Sequence, residues 1–288
     1  MNGWGRHAPI RGPRRAKVRK MKTATCLGVL AVVLGWAPAA TTLSTTAGPA
    51  SQPVPSSLAA ATSDNWSGYV AVGTSYTGAS GTFDVPNLSR YVAASTASEW
   101  VGVDGWSNST LVQTGVNEIP LGDSVTLFEP WWQIVPGPQE LATGVMVRPG
   151  DRVTAQVEEV SVGRWSISLV DDTNGDSFSI VKTYAGPATS AEWVVEADAT
   201  ADGVLTRLAP FRSKVTFTHM ALDGTLVSTE GALGPGTEPA AAISPARDAR
   251  SHSTTFTKVV MVQGGDPVST PTPLGTGAFR VTYSGVAS

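Results

Sequence analysis

Residues 190–198 read Ser-Ala-Glu-Trp-Val-Val-Glu-Ala-Asp, so two glutamates flank an apolar centre. Trp and Val favour a pleated, half-buried surface, and the stretch therefore predicts a β-strand. Side chains alternate along a strand, which places Trp193 and Val195 on the core face and Glu192 and Glu196 on the opposite face. Four residues of strand separate the glutamates by roughly 13 Å. That exceeds the about 5–9.5 Å of glycosidase carboxyl pairs, so Glu196 needs a partner from elsewhere in the chain.

Short apolar or alternating runs extend in both directions from this strand, and Gly, Pro, Asn and Asp separate them. Several lie at the spacing of about 8–12 residues that is typical of sandwiches and barrels. Thr143–Val147 is one such candidate strand, and Asn174-Gly175 predicts a hairpin turn between two others. No long amphipathic helix or solenoid repeat is present. The pattern predicts an all-β fold, one antiparallel β-sandwich of two packed sheets.

The first 40 residues have the pattern of an export signal. A basic run is followed by an apolar run, Cys26–Trp36, and by Ala37-Pro38-Ala39, a small-x-small cleavage pattern. A start at Met21 gives a signal of more ordinary length. Residues 41–62 are rich in Ala, Ser, Thr and Pro and predict a linker or short pro-segment. Residues 63–288 then form a single domain, which we expect to be secreted to the extracellular space.

Cleavage of this signal changes the charge balance. The signal carries eight of the 20 Lys and Arg and none of the 23 acids, which leaves 12 basic and 23 acidic side chains and a balance of −11. This balance argues against nucleic acid and against stable association with an anionic membrane. Cys26, the one cysteine, leaves with the signal, so we expect no disulfide and no thiolate metal site.

Several catalytic arrangements are missing from the sequence. The chain has no Gly-x-Ser-x-Gly elbow, and its histidines do not have the spacing of metal ligands. Asp-Thr-Gly and Asp-Ser-Gly loops, which aspartic proteases need, are also missing. We therefore expect no metal and no cofactor.

Residues 99–115 contain a second notable pattern. In the strand that begins at Glu99, Val101 and Val103 would point inward, and Trp100, Gly102 and Asp104 outward. The chain returns through Leu-Val-Gln-Thr-Gly, which places the polar Gln113 in the middle of a largely apolar strand. Taken alone, such a glutamine is an amide on a solvated face.

Four motifs together resemble the glutamic peptidases, or eqolisins. They occur in the order Asn65-Trp66-Ser67-Gly68, Trp100-Val101-Gly102-Val103-Asp104-Gly105, Leu111-Val112-Gln113-Thr114-Gly115 and Ala191-Glu192-Trp193-Val194-Val195-Glu196. The likeness covers most of the chain from about Asn65 to Tyr283. The resemblance implies a large concanavalin A-like β-sandwich and a secreted acid endopeptidase with a Gln/Glu dyad.

In this resemblance, Gln113 and Glu196 match the catalytic pair. A carboxylate can activate water and later protonate the leaving amine, and an amide N–H can donate to the oxyanion without titrating. The resemblance also implies a substrate cleft lined by Trp66, Trp100, Asp104, Trp131 and Trp132, although core packing explains a tryptophan equally well. The expected partners are protein or peptide substrates, and the expected state is a monomer.

Two positions depart from the family pattern, and two other functions remain open. Asn117 stands where fungal members tend to carry an acid, and Gln133 stands in place of a glutamate. Both remove negative charge near the expected cleft, which leaves open an inactive peptidase homologue. The other alternative is a secreted β-sandwich that binds or degrades polysaccharide with exposed tryptophans as sugar platforms. Pepstatin-resistant proteolysis at acid pH, set beside a polysaccharide pull-down, distinguishes these functions.

Overall fold

The fold is all-β, as the sequence predicts. We describe a computed structural model of the chain, which covers residues 59–122, 125–200, 202–227 and 254–285. It contains 17 strands, whose bounds are β1 Ala59–Ser63, β2 Trp66–Val72, β3 Gly78–Asp84, β4 Ser95–Asp104, β5 Leu111–Gly122, β6 Val125–Val135, β7 Glu140–Leu141, β8 Arg152–Ser161, β9 Arg164–Asp171, β10 Ser177–Thr183, β11 Ser190–Glu196, β12 Arg207–Leu208, β13 Val215–Leu222, β14 Thr225–Leu226, β15 Thr255–Gln263, β16 Asp266–Pro271 and β17 Phe279–Tyr283.

The strands form two packed layers. The front sheet has the order β1-β15-β2-β11-β4-β5-β6-β7, and all its pairs are antiparallel except β1–β15. The back sheet has the order β16-β17-β13-β3-β8-β9-β10 and is antiparallel throughout. The β15–β16 hairpin joins the two sheets. Strands β4 and β5 pack against β8, and β5 also packs against β9, so the inner face of the front sheet lies against the back sheet.

Strand β11 shows why the front sheet has two distinct faces. Trp193 and Val195 belong to the core between the sheets, and the Trp193 indole N–H donates to the Ser80 carbonyl at 2.8 Å. Val194 belongs to a second apolar cluster, on the outer face of the front sheet. Alternation therefore places Glu192 and Glu196 on that outer face, which confirms the prediction from residues 190–198.

The structure refines several boundaries. Residues 59–62, which lie at the end of the predicted linker or pro-segment, belong to β1. Thr143–Val147 was predicted as a strand, but the structure has turn and irregular backbone there. The Asn174-Gly175 turn does join β9 to β10 as a hairpin. The export signal and most of the linker lie outside the described residues.

Within the described ranges, no helix has the length and apolar character needed to cross a membrane.

Candidate active site

Three cross-strand rows of side chains define the outer face of the front sheet. Each row runs from β6 through β5, β4 and β11 to β2, because these strands are neighbours in register. The rows are the Glu196 row of Glu129, Asn117, Ser98, Glu196 and Trp66, the Trp100 row of Trp131, Gly115, Trp100, Val194 and Gly68, and the Gln113 row of Gln133, Gln113, Gly102, Glu192 and Val70.

Glu196 is held by one donor from strand β4 and one from the turn between β1 and β2. Its Oε1 accepts from Asn65 Nδ2 at 2.7 Å, and its Oε2 accepts from Trp100 Nε1 at 2.8 Å. The side chain is only 7% exposed. Burial and the nearby Asp198 raise the pKa of Glu196 to about 8, although hydrogen bonding from Trp66, Trp100 and Asn65 acts in the opposite direction. Both groups that bind Glu196 at hydrogen-bond distance are N–H donors, which complement a carboxylate.

Gln113 lies at the other end of this face and is only 3% exposed. Its Nε2 donates to Gln133 Oε1 at 2.9 Å, and Gln133 Nε2 donates in turn to the Gly137 carbonyl at 2.9 Å. Among the described residues, Gln113 Oε1 has no hydrogen-bond partner. One N–H of the Gln113 amide is therefore engaged, while its carbonyl oxygen and second N–H remain for other contacts.

The structure places Gln113 and Glu196 on one face, but not side by side. Gln113 is opposite Gly102, and Glu196 is opposite Ser98, four residues away on β4. Extended geometry separates their Cα atoms by roughly 13 Å along the strands and about 10 Å across them. Within the part of the chain that is described, no hydrogen bond joins the two side chains. A substrate group lying over the Trp100 row would fall between them.

Glu192 is the carboxyl nearest to Gln113 by register, since both lie in the Gln113 row beside Gly102. It is fully buried, and no described residue donates a hydrogen bond to its oxygens. Burial raises the pKa of Glu192 well above its usual range, the Ser190 side chain acts in the opposite direction, and Asp104 adds to the rise. Burial therefore favours the neutral form of Glu192, and its surroundings differ from those of Glu196, which accepts from two N–H donors.

Three of the predicted cleft tryptophans share the outer face. Trp66 contacts Trp100 edge to face, with ring centroids 5.0 Å apart. Trp131 lies opposite Gly115, at the β6 end of the Trp100 row. The Trp131 Nε1 has no hydrogen-bond partner among the described residues. Trp106, which no sequence pattern singled out, lies in the loop after β4 and stacks on Trp66, with the two ring centroids 6.4 Å apart.

Trp132 lies on the other face of β6. It packs against the core between the sheets, and Lys182 Nζ lies 5.0 Å from its ring centroid. Trp132 therefore does not join the other tryptophans, because adjacent residues of a strand point to opposite faces.

Asp104 lies at the end of β4, where groups of the chain itself bind its carboxylate. It is fully buried, and its oxygens accept from the Tyr184 hydroxyl, the Ala188 and Thr189 amides and Asn108 Nδ2. These contacts tie the end of β4 to the segment that leads into β11. Both oxygens of Asp104 are therefore occupied by donors from the chain itself.

Asn117 fastens the turn after β6 to the outer face. Its Oδ1 accepts from Ser98 Oγ at 2.8 Å, and its Nδ2 donates to Gln139 Oε1 at 3.0 Å. An amide can make both contacts because it carries a donor and an acceptor, whereas a carboxylate has only acceptors.

A separate pair of acids lies behind the site, between the sheets. Glu99 and Glu118 share the inward face of β4 and β5 with Val101 and Val116, and both are fully buried. Burial raises the pKa of Glu99 to about 8 and that of Glu118 well above its usual range. Burial also raises the pKa of the neighbouring Asp198 to about 7. Alternation with Val101 and Val103 was a sequence signal for the inward position of Glu99.

Among the described residues, no group of three or more His, Cys, Asp or Glu side chains is placed to hold a metal ion.

Comparison with known proteins identifies two curated relatives. The chain is 31% identical over 183 residues to aspergillopepsin-2 of Aspergillus niger, an alignment that covers 54% of this chain and 63% of that protein. It is 28% identical over 180 residues to scytalidopepsin B of Scytalidium lignicola, which covers 58% of this chain and 67% of that protein. The chain thus spans less than two thirds of the first relative's length.

Solved structures show the same fold. Scytalido-glutamic peptidase with a transition state analog inhibitor matches with a TM-score of 0.61 at 20% identity, over 76% of this chain and 98% of that chain. SCP-B, a member of the eqolisin family in complex with the tripeptide Ala-Ile-His, matches with a TM-score of 0.57 at 19% identity, with the same coverage of 76% and 98%. The sequence profile of the Peptidase A4 family matches residues 64–268. Together with the β-sandwich, this match confirms the resemblance inferred from the four motifs: the chain belongs to the Peptidase A4 family.

Proposed function

We propose that this protein is an exported endopeptidase that works on the acidic side of neutrality and cleaves peptide bonds with Glu196 and Gln113. The observation that carries the proposal is the position of Glu196. It is a nearly buried carboxyl, bound by the Asn65 and Trp100 donors, on the same outer face as a glutamine with an unpartnered carbonyl oxygen. Family membership supports the reaction class.

The proposed reaction places the scissile peptide over the Trp100 row. Ionised Glu196 takes a proton from a water molecule, and the water oxygen forms a bond to the carbonyl carbon. The free N–H of Gln113 donates to the oxygen that becomes negative. The C–N bond then breaks, and the proton held by Glu196 passes to the departing amine. Glu196 thus acts as base and then as acid, and no covalent enzyme intermediate is needed.

We expect activity at acidic pH because of the buried carboxyl groups. Glu99, Glu118, Glu192, Glu196 and Asp198 all have raised pKa values because of burial. The folded chain keeps these groups neutral at pH values where the unfolded chain ionises them. Rising pH therefore increases the ionised fraction of Glu196 but weakens the fold, and we expect the optimum where these two effects balance.

Isosteric variants test the assignment, with denatured protein as substrate at acid pH and pepstatin present. We expect Glu196→Gln to abolish cleavage, because a neutral amide cannot accept the proton from water. Gln113→Ala should lower kcat by about 10²–10³, the usual effect of removing an oxyanion donor.

Glu192→Gln is the matched control, since it makes the same change on the same strand and face. We expect it to retain activity within a few-fold of the wild type. Loss of activity in Glu192→Gln together with full activity in Glu196→Gln would transfer the base to Glu192 and refute this assignment. Absence of any peptide cleavage by the wild type would refute the peptidase function itself.

The polysaccharide alternative finds less support. Trp66, Trp100 and Trp131 are at most 8% exposed, so they do not form open aromatic platforms on which a sugar ring could stack. Binding of a polysaccharide without proteolysis would favour that alternative.

A further inference from the structure

Gln113 belongs to a directed chain of hydrogen bonds. The Gly137 carbonyl can only accept, and it accepts from Gln133 Nε2 at 2.9 Å. Gln133 must then turn its oxygen toward β5, where Gln113 Nε2 donates to it at 2.9 Å. Gln113 and Gln133 are opposite each other in the β5–β6 register, and both are only 3% exposed.

This chain fixes an orientation that is otherwise ambiguous. An amide group can rotate by half a turn and exchange its oxygen with its nitrogen, which would exchange an acceptor for a donor. The Gly137 carbonyl sets the orientation of Gln133, and Gln133 sets that of Gln113. As a result, Gln113 Oε1 is directed away from Gln133 and has no partner in the described part of the chain.

We propose that Gln133 is a positioning residue that fixes the Gln113 amide for catalysis, and that it does so equally at every pH because an amide does not titrate. The inference rests on the proposed peptidase function. A protonated carboxyl at position 133 could make both contacts, since its O–H can donate to Gly137 and its carbonyl can accept from Gln113. An ionised carboxyl would lose the contact with Gly137 and oppose negative charge on the substrate oxygen.

The test uses the full chain and steady-state cleavage of a peptide substrate across the pH range. In Gln133→Leu, we expect kcat to fall by about 10–100-fold with KM within about twofold, because orientation and not binding is lost. In Gln133→Glu, we expect kcat near that of the wild type at the acid end. At higher pH, we expect an additional decline that the wild type lacks, as the new carboxyl ionises.

Gln156→Leu is the control, because this glutamine lies on β8 in the back sheet and the substitution makes the same chemical change. We expect it to leave kcat and its pH profile unchanged. Melting temperatures at each pH separate loss of fold from loss of activity. If Gln133→Leu does not fold, the pH dependence of kcat in Gln133→Glu tests the positioning role alone. A purely structural role of Gln133 would add no new ionisation to that pH dependence.

The outcomes separate this inference from the proposed function. Cleavage by the wild type and none by Glu196→Gln would support the proposed function. If, in that case, Gln133→Leu keeps full kcat and the kcat profile of Gln133→Glu shows no new ionisation, only the positioning role of Gln133 is overturned. If Glu196→Gln is fully active, the proposed dyad is refuted, whatever the Gln133 variants show.

Discussion

Burial and hydrogen bonding act on the Glu196 carboxyl in opposite directions. Burial raises the pKa of Glu196 to about 8, and donors that include Asn65 counteract part of that rise. Alternation along β11 and β4 was enough to predict that Glu196 and Trp100 share a face. The contact with Asn65 was not predictable in the same way, because it depends on how β2 and β11 pair across more than a hundred residues of chain.

Replacing Asn65 by Ala should raise the pKa of Glu196 further, because the carboxylate loses a donor. A hydrogen bond to a charged group contributes about 1.5–3 kcal/mol, so we expect the rise in kcat/KM with pH to move up by roughly one to two units. At a fixed acid pH, kcat/KM should fall by about 10–100-fold. Exposed Asn87, replaced by Ala, serves as the control, and an unchanged pH profile in Asn65→Ala would contradict the role of this donor.

The β4–β5 pair is the element on which the outer face depends. Gly115 lies between Gln113 and Asn117 on β5 and faces Trp100, so a side chain is missing from the middle of the face. The alternation of β4 was predictable from its valines. The hydrogen-bond chain through Gln133 was not, because a lone glutamine in an apolar strand does not reveal which amide lies opposite it. The β5–β6 register supplies that information.

Gly115→Ala should destabilise this pair of strands. A Cβ at Gly115 would lie 2.1 Å from the Glu99 carbonyl oxygen and 2.6 Å from Trp100 Cβ, so β4 and β5 would have to separate. Overpacking of this kind costs about 1–3 kcal/mol, which urea denaturation can measure as a lower free energy of unfolding. Gly122→Ala, in the same strand, is the matched control, because a Cβ there meets no heavy atom within 4 Å. Equal effects of the two substitutions would contradict the close approach.

At the scale of the whole molecule, the sandwich buries several carboxyl groups, and burial disfavours their ionised forms. Composition predicted an acidic secreted chain, and strand patterns predicted the sandwich. Neither indicated that Glu99 and Glu118 would meet between the sheets, because that requires the β4–β5 register. Since burial raises the pKa of Glu99 from 4.5 to about 8, the folded state holds more protons than the unfolded state between these pH values. The contribution of Glu99 to stability is therefore fully present below about pH 4.5 and is lost as pH rises toward 8.

We expect the melting temperature to be higher at pH 4 than at pH 8. Each group that contributes fully lowers the free energy of unfolding by about 1.4 kcal/mol per pH unit within its window. The double variant Glu99→Gln with Glu118→Gln should show a smaller loss, because two ionisations are removed. Glu140→Gln, an exposed change on β7, should leave the slope unaltered. A melting temperature that increases from pH 4 to pH 8 would rule out this explanation.

The parallel pairing of β1 with β15 has a consequence for how far the amino terminus can be shortened. Ser63, the last residue of β1, donates from its hydroxyl to Asn65 Oδ1 at 3.1 Å and accepts from the Trp66 amide at 3.1 Å. Removal of the residues before 58 would leave these hydrogen bonds of Ser63 intact. A cut that also removes Ser63 would release Asn65, which is one of the groups that bind Glu196. A chain that starts at residue 58 should therefore cleave peptides as well as the full chain, and one that starts at Asp64 should be much slower. Peptide cleavage would then depend on whether shortening of the amino terminus stops before Ser63.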